Sequence, residues 1–340
     1  MKPRRASNAS TTMHSPASVM SWRLAVDILH GSACNITCPV EVRPSTPQLK
    51  ARRRRSSQGL YTLCNASGLL SGYGGRPCRV VSIGIGENWH FEDWLALSGC
   101  SIDAFDPTTR LQVKHAAHVT NRRRRGATYA GMRFHFAGLA GDTNNSLCHL
   151  KTVGDVPCHA FPAAVAALKE HGKTAAASYV RSNQQFRRLA VRTSFKYGLI
   201  AGEALLPLGA LFRMASIPET SRVSVLKIDC EGCEWDAFAE LEQTSPRLLG
   251  RVDQVVIELH LRVQFQLNGM DQLVRLLRHL LIDHGFRTIS SGPSPGFDGV
   301  LSHTQAPDEL TAASFETDKQ VAVELSLMRP QPLPVRGLHC

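Results

Sequence analysis

Carboxylates, a lysine and a histidine crowd the ends of two apolar runs in this sequence. The first run, Val223-Ser224-Val225-Leu226-Lys227-Ile228, is followed closely by Asp229, Glu231 and Glu234. The second, Val255-Val256-Ile257, leads into Glu258-Leu259-His260, and a period of two puts Glu258 and His260 on one face of a strand. Polar groups inside a hydrophobic run are costly to bury without partners, so a cluster at such an address is a candidate for proton transfer. Asp229 or His260 is the expected general base toward a hydroxyl acceptor. Glu231 and Glu258 would orient the base or the acceptor, and Lys227 would hold the carboxylates ionised. The plainer reading is an ion pair between Lys227 and Glu258 that only stabilises a sheet edge. Cys34-x-x-x-Cys38 and Cys230-x-x-Cys233 lack a second Cys or His pair at a zinc-site distance, so Cys230 and Cys233 are expected to pack around a strand end. A divalent ion shared by Asp229, Glu231 and Glu258 is conceivable, but no spacing demands it, and no metal is assigned.

A second set of residues suits a nucleoside-bearing cofactor. Val80-Val81-Ser82-Ile83 runs into Gly84-Ile85-Gly86-Glu87, a strand entering a glycine turn that precedes a helix. Unpaired N–H groups at a helix start, with glycines before them, let a ligand approach the backbone closely. Asp106, followed by Pro107, stands twenty residues after Gly86 at the end of the next strand, where a carboxylate can accept both ribose hydroxyl protons of an adenosine. The next turn, Gly138 to Asp142, adds Gly138 and Asp142 to the candidate cofactor contacts. Both NAD and S-adenosylmethionine (SAM) carry that ribose. The third glycine of an NAD turn is here Trp89, too bulky for a pyrophosphate cradle, whereas SAM has no pyrophosphate to accommodate. The reading is therefore SAM and methyl transfer. A nicotinamide-dependent oxidoreductase and a non-catalytic binding module that retains the fold stay as alternatives.

These residues need an α/β scaffold to meet. Arg79 to Ile83 and Ser101 to Phe105 are short strand patterns, and between them Phe91, Trp94 and Leu95 give a helical apolar face that stops at Gly99. That βαβ unit predicts two parallel strands. A helix around Arg110 to Val119, a basic loop and a third strand, Met132 to Phe136, follow. Val223 to Ile228 is the fourth strand, Val255 to His260 the fifth, and Arg287 to Ile289 and Val321 to Met328 the sixth and seventh. Helices are expected from near Glu234 and over Met270 to His284, with Leu273, Leu276, Leu277, Leu280 and Leu281 inward. The stretch 143–221 exceeds a normal crossover and predicts a helical insertion, with helices around Phe161 to His171, Tyr179 to Val191 and Leu205 to Met214. The fold class is α/β: a doubly wound, seven-stranded, mostly parallel sheet with that insertion and a disordered tail.

Composition sets the outer bounds. The 340 residues carry a net charge of +11, but residues 1–59 alone hold ten cations against Asp27 and Glu41. Arg122 to Arg125 form a second basic run, read as a solvated loop, so the high charge belongs to two patches and argues against a nucleic-acid-binding face. Residues 1–60 are read as a largely disordered tail that contributes little to the core, 61–330 as one catalytic domain and 331–340 as a C-terminal tail. The most apolar stretch, Gly198 to Ala215, is broken by Glu203, Pro207 and Arg213, so no membrane span is expected. As written the chain reads as cytoplasmic. Ten cysteines and the sequons at Asn35, Asn65 and Asn144 keep the secretory pathway open if an N-terminal signal is missing.

Leu226-Lys227-Ile228-Asp229-Cys230-Glu231-Gly232-Cys233-Glu234-Trp235 resembles the L-K-I-D-x-E-G-x-E-W motif of FkbM-like methyltransferases. Val81 to Gly86, Phe91-Glu92 and Ala104-Phe105-Asp106-Pro107 are similar to the related methyltransferase-like protein 24 group. The resemblance covers roughly Cys78 to Met328. It implies a Rossmann-like class I fold of seven strands, SAM as cofactor, and methylation of a hydroxyl oxygen on a small-molecule, glycan or protein acceptor. Two positions depart from the common pattern: Ser82 where an acid is frequent, and Asn88 where a third glycine is usual. The absence of N/D-P-P-Y after the fourth strand also argues against nucleic-acid methylation.

Overall fold

The computed structural model describes residues 28, 38, 41–42, 61–64, 77–108, 111–126, 129, 131–139, 147–150, 154–157, 205–230, 233–260, 271–293 and 322–330. Its frame is a seven-stranded sheet made of β1 (Arg79–Ile83), β2 (Ser101–Phe105), β3 (Met132–His135), β4 (Val223–Ile228), β5 (Val252–His260), β6 (Arg287–Pro293) and β7 (Ala322–Met328). The spatial order is β6-β7-β5-β4-β1-β2-β3. From β5 to β3 every neighbouring pair is parallel, and β7 enters antiparallel between β5 and β6. The chain starts in the middle of the sheet, winds outward through β2 and β3, then returns to build the other half. The point where the order reverses lies between β1 and β4.

The apolar pattern explains why the sheet has this depth. All six residues of β4 and all nine of β5 are buried, the near-continuous hydrophobic character expected of strands covered on both faces. Alternation sorts them. Val81, Ile83, Leu226, Ile228, Ile257 and Leu259 face one core together with α3 (Leu208–Met214), α4 (Glu234–Thr244) and α5 (Asp271–Arg278). Val80, Ile102, Ala104, Val225 and Val256 face the other, under α1 (His90–Leu97) and α2 (Gln112–Arg124). The five leucines expected to point inward near α5 are buried, though the last turn, His279–Asp283, is a π-helix. Among the described residues no helix is long and apolar enough to cross a membrane.

Several boundaries moved, and each has a physical reason. Strand β5 begins at Val252, because Asp253 ion-pairs with Arg222 and Gln254 is satisfied by the backbone of Cys64, so polar residues are tolerated inside the strand. Strand β6 runs to Pro293 past a register irregularity between Thr288 and Ser290. The basic run at Arg122 to Arg125 is not a loop: it closes α2, where cations complement the partial negative charge of a helix end, and Arg122 ion-pairs with Asp93 of α1. The helix expected from Leu205 begins at Leu208, since Leu205–Leu206 pairs in parallel with Gly138–Leu139.

The segment before residue 60 gives more to the core than its composition suggests. Ile28 is fully buried against the α3–α5 side of the sheet, and Cys38 is joined to Cys64 by a disulfide. Glu41–Val42 pairs antiparallel with Leu63–Cys64, and Tyr61 and Leu63 pack into the opposite core. A second disulfide, Cys78–Cys100, ties the start of β1 to the entry of β2. The helices expected at Phe161 to His171 and Tyr179 to Val191 lie outside the described residues, as do Asp142, Glu231 and the last ten residues. Within the insertion, Leu147–Leu150 and Gly154–Pro157 form an antiparallel hairpin, a β element the helical reading did not include.

Candidate active site

Strands β1 and β4 bring the two expected half-sites together. Ile83 pairs with Ile228, and the Asp229 N–H donates to the Ile83 carbonyl at 3.0 Å, so Gly84 and Asp229 leave the sheet side by side. Gly84 has φ +77°, and a Cβ on it would stand 1.5 Å from the Asp229 carbonyl oxygen. Only glycine fits there. Gly86, at φ +56°, has nothing within 4 Å of where its Cβ would be, so the turn is crowded against β4 at one glycine and open at the other.

The carboxylate of Asp106 builds the turn. Its Oδ2 accepts from the N–H of Ile85 at 3.1 Å and of Gly86 at 2.8 Å, and its Oδ1 accepts from Thr108 N–H at 2.8 Å. Burial pushes this carboxyl upward, but the His115 imidazole 3.8 Å from Oδ2, together with the hydrogen bonds from Thr108 and Gly86, outweighs that and holds it below the usual carboxylate range. At 2 % exposure, Asp106 first of all holds the glycine turn to the end of β2; two lone pairs on Oδ2 are already used. Pro107 packs against Gly138, whose Cβ would lie 2.5 Å from the proline Cγ. Glu87 is exposed at the rim of the turn. Trp89 fills the third-glycine position: it is buried, donates from Nε1 to His115 Nδ1 at 2.9 Å and stacks on His118.

Beneath the turn lies a polar network, of which only Ser82 and Lys227 were expected from sequence. Ser82 Oγ donates to Glu92 Oε1 at 2.5 Å, and Lys227 Nζ donates to the Gly84 carbonyl at 2.5 Å. Lys227 also stands 3.6 Å from Glu92 and 4.0 Å from Asp229. The plainer alternative, a Lys227–Glu258 ion pair, gives way to another contact: the lysine ties the glycine turn to α1, because the register pairs it with Ser82 on β1 and Glu92 reaches the same spot. Glu92 was legible in principle. It precedes Leu95 and Ala96 by three and four residues, which places a carboxylate on the buried face of α1.

The acidic mouth continues across β5. Ile228 pairs with Ile257, so Asp229 and Glu258 follow each other at the strand ends. Ligand atoms of Asp229, Glu258 and His260 all lie within 4.8 Å of one another. His260 is held from behind by Glu234 at the start of α4: Glu234 Oε1 accepts from the His260 backbone N–H at 2.7 Å and meets Nδ1 at 2.9 Å. Cys230 and Cys233 do more than pack: they form a disulfide that flanks the β4–α4 turn. Tyr61 also reaches this region, and burial followed by the charges of Asp229, Glu258, Glu324 and Glu92 pushes its hydroxyl well above its ordinary value. No sequence pattern pointed to Tyr61, because its position depends on the docking of Leu63–Cys64 against β5. Asp229, at 26 % side-chain exposure, is the accessible carboxylate of the mouth; Glu258 and His260 are buried.

Strand order and switch point define a Rossmann-like α/β fold of the class I methyltransferase type. No family profile matches this chain, and no curated protein does. Among solved structures, it is similar to the methyltransferase FkbM from Methylobacillus flagellatus KT at 13 % identity and TM-score 0.36, over 76 % of this chain and 47 % of that one. It is also similar to WbdD, at 11 % identity and TM-score 0.33 over 77 % of this chain and 38 % of that one. A structure of the bifunctional kinase-methyltransferase WbdD gives 12 % identity and TM-score 0.33, over 79 % and 38 %. The chain spans less than half the length of each of these proteins.

Proposed function

We propose that the chain is a SAM-dependent methyltransferase that acts on a hydroxyl oxygen of a small-molecule, glycan or protein acceptor. The observation that carries this reading is the contact of Gly84 with the Asp229 carbonyl, which sets an open glycine turn directly beside an accessible carboxylate. The open space over Gly86 suits a bound nucleoside, and the turn is fixed in advance by Asp106 and Lys227. Bound SAM would supply an activated methyl group and a neutral thioether leaving group. The protein's own part is positioning and proton removal. Asp229 takes the acceptor O–H proton as the new O–C bond forms, Glu258 and His260 shape the pocket behind it, and Glu231 belongs to the same turn by sequence. Lys227 orients Gly84 rather than the acceptor.

The test uses the full chain. Labelled SAM should bind in equilibrium dialysis, raise the melting temperature in proportion to its concentration, and be displaced by its thioether product but not by NAD. Asp229→Asn should retain binding and lose at least about a hundredfold in methyl transfer to fractionated glycan, protein or small-molecule acceptors. Stabilisation by NAD alone would move the reading to a nicotinamide oxidoreductase, and no uptake of either would leave a binding module.

A further inference from the structure

We propose that Asp229, Glu258 and His260 form a binding site for one divalent first-row cation of the zinc or manganese kind, with Glu234 as the residue that positions the imidazole. The three ligand atoms fall within 4.8 Å of one another, and two of the three side chains are buried on the rigid end of β5. Glu234 Oε1 can only accept when ionised, so His260 gives it the Nδ1–H and keeps its lone pair on Nε2. That nitrogen stands 3.7 Å from Glu258 Oε1. The gap is too long for a direct hydrogen bond, yet it suits two ligands that each lie about 2.1 Å from a shared ion, which can be up to about 4.2 Å apart. A carboxylate behind a histidine is also what fixes ring orientation and basicity in metal sites.

A second, independent feature lies near the same cluster. The Tyr61 hydroxyl is buried, has no hydrogen-bond partner among the described residues, and lies in the electrostatic field of Asp229 and Glu258. Buried phenols normally find a partner, and a ligand water on the ion would provide one. One imidazole nitrogen with two carboxylate oxygens suits zinc or manganese. The partly exposed Asp229 leaves one side of the site open to solvent, as in sites that keep a coordination position free. A second grouping, Cys230, Cys233 and Glu234, does not compete while its two sulfurs are joined as a disulfide.

The inference does not depend on methyl transfer, and it is read by metal binding alone. The full chain, stripped with EDTA and freed of chelator without any reductant, is titrated with Zn2+ by calorimetry and with Mn2+ by electron paramagnetic resonance. One saturable equivalent is expected. Glu258→Gln and His260→Gln should each weaken it at least tenfold, and Glu234→Gln by about 10–100-fold. If the buried variants do not fold, Asp229→Asn at the rim carries the comparison with the same expected weakening. The other occupant of the gap is a proton on Nε2, which makes His260 and Glu258 a plain ion pair. Natively folded wild-type protein that binds neither metal saturably, or an affinity that the folded variants leave unchanged, overturns the metal site. Metal binding without uptake of labelled SAM sinks the enzyme reading and leaves this one standing.

Discussion

The two glycines of the turn make opposite demands on a methyl group. An alanine at 84 would collide with the Asp229 carbonyl and also adopt a left-handed backbone, which alone costs about 1–2 kcal/mol. Gly84→Ala should therefore lose more than about 3 kcal/mol in a denaturant melt, beyond the left-handed cost alone. Gly86→Ala meets no atom, so it should lose only about 1–2 kcal/mol while its methyl enters the space assigned to the cofactor and weakens SAM binding. Equal stability of the two variants would contradict the crowding at Gly84. A different residue, His284, governs acid behaviour away from the site. Burial first, then the charges of His279 and Arg329, push its imidazole down to about 4, against the small opposing effect of Asp283. The unfolded chain takes up this proton near the ordinary value of about 6.5, so it binds more protons than the folded chain between those limits, and stability falls as pH drops from about 6.5 to 4. Below that both states are protonated and the loss is complete. His284→Gln should flatten the slope of stability against pH in that window, and an unchanged slope would remove His284 from the explanation.

Periodicity carried the elements of the sheet well, and the reason is their burial on both faces. Runs such as Val80-Val81 and Val255-Val256-Ile257 are apolar because both sides of the sheet are covered, so their strands and parallel order could be read before any contact was known. What periodicity could not carry was decided by partners distant in sequence. Arg122 to Arg125 looks like a solvated loop until Asp93, 29 residues earlier, captures Arg122 and lets α2 run on. Lys227 points to Glu258 on paper, but the pairing of β4 with β1 hands it to Gly84 and Glu92. Asp106 was located correctly at the end of β2, yet its oxygens are engaged by the turn's own N–H groups before any ribose arrives. Tyr61 was not legible, and Glu234 was legible only as one more acid after β4, because a side chain's value at a site depends on the element that delivers it. Glu234 gains its place by opening α4 beneath His260, and Tyr61 by leading into the short strand Leu63–Cys64 outside the main sheet.

At the scale of the molecule, covalent ties decide how the N-terminal segment is held. Leu63–Cys64 is docked to β5 by a pair of hydrogen bonds, Cys64 N–H to Gln254 Oε1 at 2.9 Å and Gln254 Nε2 to the Cys64 carbonyl at 2.6 Å, and it delivers Tyr61 to the acidic mouth. The Cys38–Cys64 and Cys78–Cys100 bonds close loops with sequence separations of 26 and 22. Loops of that size restrict the unfolded chain enough for about 3 kcal/mol of stability each, which for a chain of this length corresponds to about 4 °C in melting temperature. Such bonds persist where thiols are oxidised and open under reducing conditions, so their contribution is readable by adding a reductant. Cys38→Ser with Cys64→Ser, and separately Cys78→Ser with Cys100→Ser, should each lower the melting temperature by that amount, and dithiothreitol should lower it further in the wild type by opening both. The first pair should also weaken the cation site more than the second, because only it anchors the strand that Tyr61 leads into. Melting curves that coincide within roughly 2 °C with and without reductant would mean that neither bond constrains the fold. The account of how Cys38 and the Glu41–Val42 strand are held to the sheet would then lose its physical support.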